Sequence, residues 1–192
     1  MTWIHEFKNN GSDSARFVLG LISSKPLICF GVNPSTAKPE KLDPTMESVD
    51  RITKNNNFAS WIMLNLYPQQ ETNPDKMHDE LSSDLHKENL KHIEKIFEQY
   101  PKAVIWAAWG DLITTKKYLK ENLAEIIEIS KKYECTWVAI NKKTKNNNPP
   151  HPLFKKSTEK LTIFDIDTYL KKFWIILEER YFYGKHRNFK QS

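Results

Sequence analysis

The sequence predicts an α/β domain: a three-layer α/β/α sandwich around a central, mostly parallel four-stranded sheet, with one further strand at an N-terminal edge. Two observations carry this. Four short, nearly continuous apolar runs recur along the chain, and longer stretches of helical periodicity separate them. Such runs are how strands buried on both faces of a parallel sheet read. A chain of 192 residues, 39% of them apolar and six of them tryptophan, has material for one sizeable core, so residues 1–192 read as a single domain.

Taken in order, Ala15-Arg-Phe-Val-Leu-Gly-Leu-Ile22 is the expected edge strand. The four central strands are Leu27 to Val32, Ser60 to Leu66, Ala103 to Ala108 and Thr136 to Ile140. Helices are expected over Thr45 to Asn55, His78 to Tyr100 and Thr114 to Lys132. The second carries Leu81, Leu85, Leu90, Ile93 and Phe97 near helical spacing, and the third carries Leu119, Leu123, Ile126 and Ile127. Asp165 is placed to cap a last helix bearing Tyr169, Leu170, Phe173, Ile176 and Leu177. Between the last strand and that helix, Lys142 to Pro150 is Lys/Asn-rich and ends in two prolines, which makes it a loop.

Composition narrows the function classes. No run approaches the roughly 18 apolar residues of a membrane span, and Met1-Thr2-Trp3-Ile4-His5-Glu6 does not begin like a signal peptide. The expectation is a cytoplasmic protein that does not engage membranes and is a monomer. Cys29 and Cys135 each sit in apolar surroundings and read as small buried hydrophobes in a reducing compartment. No Cys/His group has zinc-like spacing, so neither metal nor cofactor is expected.

The net charge is +5, and its placement is uneven. Between Asn141 and Lys160 stand Lys142, Lys143, Lys145, Lys155, Lys156 and Lys160 against Glu159 alone. The tail 178–192 mixes cations with aromatics, including Arg180, Tyr181, Phe182, Tyr183, Lys185 and Arg187. Cations interleaved with aromatics suit phosphate contact and base stacking; a solvated loop and a frayed tail give the same composition.

In open parallel sheets, ligands bind beyond the carboxyl ends of the strands, so the segments that follow each strand matter most. They are Gly31-Val32-Asn33-Pro34-Ser35-Thr36-Ala37 with Asp43-Pro44-Thr45, then Asn65-Leu66-Tyr67-Pro68, Trp109-Gly110-Asp111, and His151-Pro152-Leu153-Phe154. Each alone is an ordinary turn sequence. In this order, they resemble the signature of a bacterial and phage family catalogued as a domain of unknown function, over about Arg16 to Phe154. They also resemble the uracil-DNA glycosylase superfamily, of the thymine/uracil mismatch type. There the first motif is Gly-x-Asn-Pro-Gly, with Ser35 here in place of the last glycine. His151-Pro152-Leu153 is similar to the His-Pro-Ser-Pro loop of the uracil enzymes, without its serine. The resemblance implies a uracil-DNA glycosylase-like sheet and hydrolysis of an N-glycosidic bond, with DNA, modified and of phage origin in the boldest version, as partner.

On that reading Asn33 fixes a water, Asp43 is a second water-orienting or cation-stabilising group, and His151 donates to the departing base. Asn65 presents both a donor and an acceptor to a pyrimidine edge, Tyr67 stacks on the base, and Ser35, Thr36 and Trp109 line the pocket. Gly110, Leu153 and Phe154 meet DNA, with Leu153 or Phe154 filling the gap left by a flipped base. Lys155, Lys156, Lys142, Lys143 and Lys145 meet phosphates. The competing readings are plain: Asn33 and Asn65 as turn asparagines, Asp43 as a helix cap, His151 as loop chemistry, Phe154 as core. Because Ser35-Thr36-Ala37 are all small where uracil-specific enzymes carry a bulky aromatic, the expected substrate is larger than uracil, glucosylated hydroxymethylcytosine being the extreme case. No lysine lies within the strand-end motifs, so a Schiff base is not expected and the enzyme is monofunctional. A hydrolase of free nucleosides or nucleotides, and a non-catalytic nucleic-acid-binding module, are the rival functions.

Overall fold

A computed structural model describes residues 2–9, 11 and 14–172. Phe173, Ile176, Leu177 and the tail 178–192 lie outside the described residues.

The strands are β1 (Thr2–Lys8), β2 (Ala15–Ile22), β3 (Leu27–Gly31), β4 (Trp61–Asn65), β5 (Val104–Ala107), β6 (Thr136–Ile140) and β7 (Leu161–Ile163). The helices are α1 (Pro44–Asn55), α2 (Ser83–Gln99), α3 (Tyr118–Lys132) and α4, described over 166–172. One sheet holds all seven strands in the order β1-β2-β4-β3-β5-β6-β7. Its centre, β4-β3-β5-β6, is parallel throughout and is the expected four-stranded core.

Side-chain alternation sorts the central strands onto two cores, as a sheet covered on both faces requires. Ile28, Phe30, Ile62, Leu64, Ile105 and Ala107 face α2 and α3, packing with Ile93, Phe97, Leu123 and Ile126. Leu27, Cys29, Trp61, Met63 and Trp106 face the other way, onto Met46, Val49 and Ile52 of α1. The α1 start is specified locally: Asp43 Oδ1 accepts from Met46 N–H at 2.9 Å, and Pro44 occupies the first turn, where a missing N–H costs nothing. Asp165 caps α4 in the same way, accepting from Thr168 N–H at 2.9 Å.

The surroundings of that centre differ from expectation. The Ala15–Ile22 strand is not at an edge. It is flanked by β1 on one side and by β4 on the other, antiparallel to both. The reason lies in Thr2–Lys8, which mixes apolar and polar residues without a buried run and covers the open side of β2. At the far edge β7, only three residues long, pairs antiparallel with β6. Two helices begin later than periodicity predicts. Short 3-10 helices over Pro74–Lys76 and Gly110–Thr114, each followed by a bend, precede α2 and α3.

A cavity at the carboxyl ends of the parallel strands

The segments after β3 and β4 are knitted together just past their strands. Backbone bonds run from Leu66 N–H to Gly31 O (3.0 Å), Tyr67 N–H to Val32 O (2.9 Å) and Glu71 N–H to Pro34 O (3.0 Å). Side chains add to them: Gln70 Nε2 donates to Ser35 O at 2.7 Å, and Asn33 Nδ2 donates to Glu71 O at 2.7 Å. Between these loops, the start of α1 and the 151 turn lies a cavity of about 60 Å³. Its lining includes Asn33, Ser35, Asp43, Thr45, His151 and Arg16. Three sequence-predicted catalytic residues, from three separate segments, therefore meet on one cavity.

Asn33 is held by its nitrogen, which also lies near Pro34 O (3.2 Å) and Gln69 O (3.4 Å). Three carbonyls around one atom demand a donor, so the amide orientation is fixed and Oδ1 is left as a free acceptor. Asp43 is a helix cap and a cavity residue at once; the cap uses Oδ1. His151 Nδ1 accepts from Leu153 N–H at 3.3 Å, which places the proton of the neutral ring on Nε2. Burial lowers the His151 pKa below 6.5; the Asp43 charge opposes this and Lys155 adds to it. The ring is therefore neutral near pH 7 and offers one N–H donor.

The loop bearing His151 is fixed by a polar network. Trp109 Nε1 donates to Tyr169 Oη (2.9 Å), whose hydroxyl donates to Asn148 Oδ1 (2.7 Å). Asn148 Nδ2 and Thr144 Oγ1 both donate to Asp111 Oδ1, at 2.8 and 2.5 Å. Gly110, at φ +62°, donates its N–H to Pro149 O at 3.0 Å, and a Cβ there would come within 3.0 Å of His151 Cβ. The Trp-Gly turn thus sets the position of the histidine.

Sequence reasoning passed over Arg16. Because β2 runs antiparallel to β4, its first residues sit at the rim, and Arg16 N–H bonds Pro68 O at 2.9 Å. The side chain is 3% exposed, donates from Nη1 to Ala37 O at 2.7 Å, and leaves Nε without an acceptor. Burial lowers its pKa to about 10, with Asp43 opposing, so it stays cationic at neutral pH. The available signal was a lone charge in an otherwise apolar strand.

Residues 16–153 match the family described as "Protein of unknown function (DUF1643)". The chain belongs to the DUF1643 family. No curated protein and no solved structure matches it. The DUF1643 span begins at the cavity's guanidinium and ends two residues beyond its imidazole, so it contains every element that builds the cavity.

The remaining expected site residues of this DUF1643 chain fall into three groups. Asn65, 1% exposed, is buried with neither amide atom hydrogen-bonded among the described residues. It does not line the cavity itself. Its register partner Gly31 does, and a Cβ on Gly31 would stand 3.2 Å from Asn65 Oδ1 and 2.6 Å from Met63 Cε. The glycine keeps open the space between amide and cavity. Tyr67 and Trp109 are placed elsewhere, as correction to their expected lining and stacking roles. Tyr67 is core on the α2/α3 side with its hydroxyl 2.7 Å from His78 Nδ1, and Trp109 is core against Trp137 and Tyr169.

The outward group surrounds the rim. Ser35 lines the cavity half-buried and Thr36 is exposed beside it. Leu153 is half-buried, whereas Phe154 is 91% exposed at φ +62°, which removes it from the core. Lys142, Lys143, Lys145 and Lys156 are exposed and Lys155 is half-buried. Among the described residues, no group of three or more His, Cys, Asp or Glu is arranged to hold a metal ion, and no helix is long and apolar enough to cross a membrane.

Proposed function

We propose that this chain is a monofunctional DNA glycosylase of the uracil-DNA glycosylase type, which hydrolyses the N-glycosidic bond of an extruded, modified pyrimidine and leaves an abasic site. The observation that carries the reading is the meeting of Asn33, Asp43 and His151 on one cavity at the carboxyl ends of the parallel strands. Breaking the bond between C1′ and the base leaves a cation-like sugar and an anionic base. Asn33 Oδ1 holds the water that bonds to C1′, and Asp43 stabilises the positive charge and takes up the water's proton. The electron pair of the broken bond stays on the base, whose carbonyl accepts from His151 Nε2–H before the base is protonated from solvent. The neutral ring already carries the needed Nε2–H, because Nδ1 is occupied as an acceptor for Leu153 N–H. Asn65 supplies the donor–acceptor pair that reads the pyrimidine edge, which gives its unpaired buried amide a partner.

A cavity of about 60 Å³ is well below the roughly 300 Å³ or more of whole-ligand pockets. On this account it seats the sugar's reacting face and the water, and a bulky 5-substituent extends outward past Ser35 and Thr36. Phe154 enters the base stack while Lys155, Lys156, Lys142, Lys143 and Lys145 contact phosphates. Among the described residues no lysine lines the cavity, in keeping with a hydrolysis that forms no Schiff base. A bulky modified base points to antiviral defence as the role.

The test is incubation with oligonucleotides carrying uracil, a thymine mismatch or glucosylated hydroxymethylcytosine, followed by alkaline cleavage at abasic sites. Cleavage of the glucosylated strand is expected. Activity confined to uracil contradicts the large-substrate reading, and equal rates on a free nucleotide would transfer the reaction to the free-nucleotide hydrolase class.

A further inference from the structure

Among the described residues Arg16 is the only lysine or arginine lining the cavity, and the reaction above gives it no task. Its burial is nearly complete, and only one of its side-chain nitrogens, Nη1, finds an acceptor among the described residues. No ion pair joins it to a carboxylate there. Asp43 acts on it only at a distance, and that carboxylate already accepts from Met46 N–H through Oδ1. A buried cation with no ion-pair partner in contact is costly, and a bound anion offsets that cost. The same cavity is lined by three residues whose side chains are neutral donors, Ser35, Thr45 and His151. Lys38 and His5 line a separate cavity whose wall includes Ala37, the residue that accepts from Arg16.

We propose that this cavity binds a phosphate group, seated on the Arg16 guanidinium and ringed by Ser35, Thr45 and His151. Size agrees with this. One water needs about 10–15 Å³ of such space, so about 60 Å³ accommodates the few heavy atoms of a tetrahedral oxyanion. The flat fork of a guanidinium matches two phosphate oxygens. The Asp43 carboxylate on the same wall opposes the anion and limits its affinity. The phosphate is either the free ion or that of a nucleotide. It takes the volume that the glycosylase reading gives to sugar and water, so it competes with that substrate, and its binding does not depend on whether a glycosidic bond is cleaved.

Calorimetric titration of the full chain with inorganic phosphate, chloride replacing it at constant ionic strength, measures this directly. Saturable binding by the native chain is expected, at least tenfold weaker in R16Q and several-fold tighter in D43N, which retains a helix cap while losing the opposing charge. No saturable phosphate binding by the native chain overturns the proposal, as does unchanged affinity in folded R16Q. Should R16Q not fold, D43N decides: affinity equal to or weaker than the native chain's overturns it. A nucleoside 5′-monophosphate that displaces phosphate, where the nucleoside does not, assigns the site to nucleotides; phosphate that resists displacement assigns it to the free ion. Phosphate binding without base release would sink the glycosylase reading and leave this one intact.

Discussion

Asn65 and His151 separate function from folding at the level of single side chains. A buried amide with neither atom paired is a liability of about 1–3 kcal/mol per unsatisfied group, so Asn65→Ala should not lower the melting temperature and should raise it slightly. The same change should reduce kcat/KM about 100-fold if the amide reads the base. A loss of stability instead would make Asn65 an ordinary structural asparagine. His151 gives a pH prediction with a definite sign. Its folded pKa lies below the unfolded value of 6.5, through burial first. The unfolded chain thus takes up a proton before the folded one does. Stability is full above pH 6.5 and declines as pH falls from there toward the folded pKa. Base release should likewise hold steady through pH 7 and fall only below 6.5; a pH–rate profile already falling between 7.5 and 6.5 contradicts a neutral donor. The motif residues Asn33, Asp43 and His151 were legible because turn chemistry puts Asn, Asp and His beside prolines at strand ends. Arg16 was not, because strand direction decides which end of β2 reaches the rim, and that direction is set by pairing with a distant segment.

Elements explain the rest of what was and was not legible. The four parallel strands were readable because burial on both faces leaves unbroken apolar runs. β1 and β7 were not, since one is half-exposed with mixed polarity and the other spans three residues. The starts of α2 and α3 were read too early, because the bends at 78–82 and 115–117 share the polar composition of a helix N-terminus. Trp109 and Tyr67 were misplaced for a related reason: a strand-end aromatic faces either layer. Alternation along β5 sends Trp109 to the α2/α3 side, whereas Tyr67 turns to that side past the end of β4, out of step with Trp61 and Met63. The Trp109-Gly110 turn nevertheless matters to the site through backbone geometry. Gly110→Ala forces a side chain onto a positive φ and against His151 Cβ. It should cost about 1–2 kcal/mol of stability and lower base release well beyond that cost, because the histidine is displaced. Chemical denaturation and a rate measurement on the folded variant check both halves; a stable variant with native rate would free the loop from the turn.

At the scale of the whole molecule, the net charge of +5 equals that of the 141–160 window, and this window includes the rim segment that carries His151 and Phe154. A nucleic-acid face so confined should bind DNA through few, salt-sensitive contacts. Replacing Lys142, Lys143 and Lys145 together by alanine should reduce the slope of log K against log salt by up to about 3, with folding unaffected. Phe154→Ala, at an exposed position, should leave stability within about 0.5 kcal/mol of native and weaken capture of duplex more than of single strands, since only the duplex has a stack to fill. An unchanged salt slope would move the DNA face elsewhere.

The central claim is that Asn33 orients the water that attacks the sugar of an extruded nucleotide. Single-turnover release of base from glucosylated hydroxymethylcytosine DNA, measured by mass spectrometry for the native chain and for Asn33→Ala, tests it most directly. The account predicts release by the native chain and at least a 100-fold slower rate in the variant, with DNA affinity within about twofold. Release at the native rate by a folded Asn33→Ala protein, or none by the native chain on any modified strand, would contradict it.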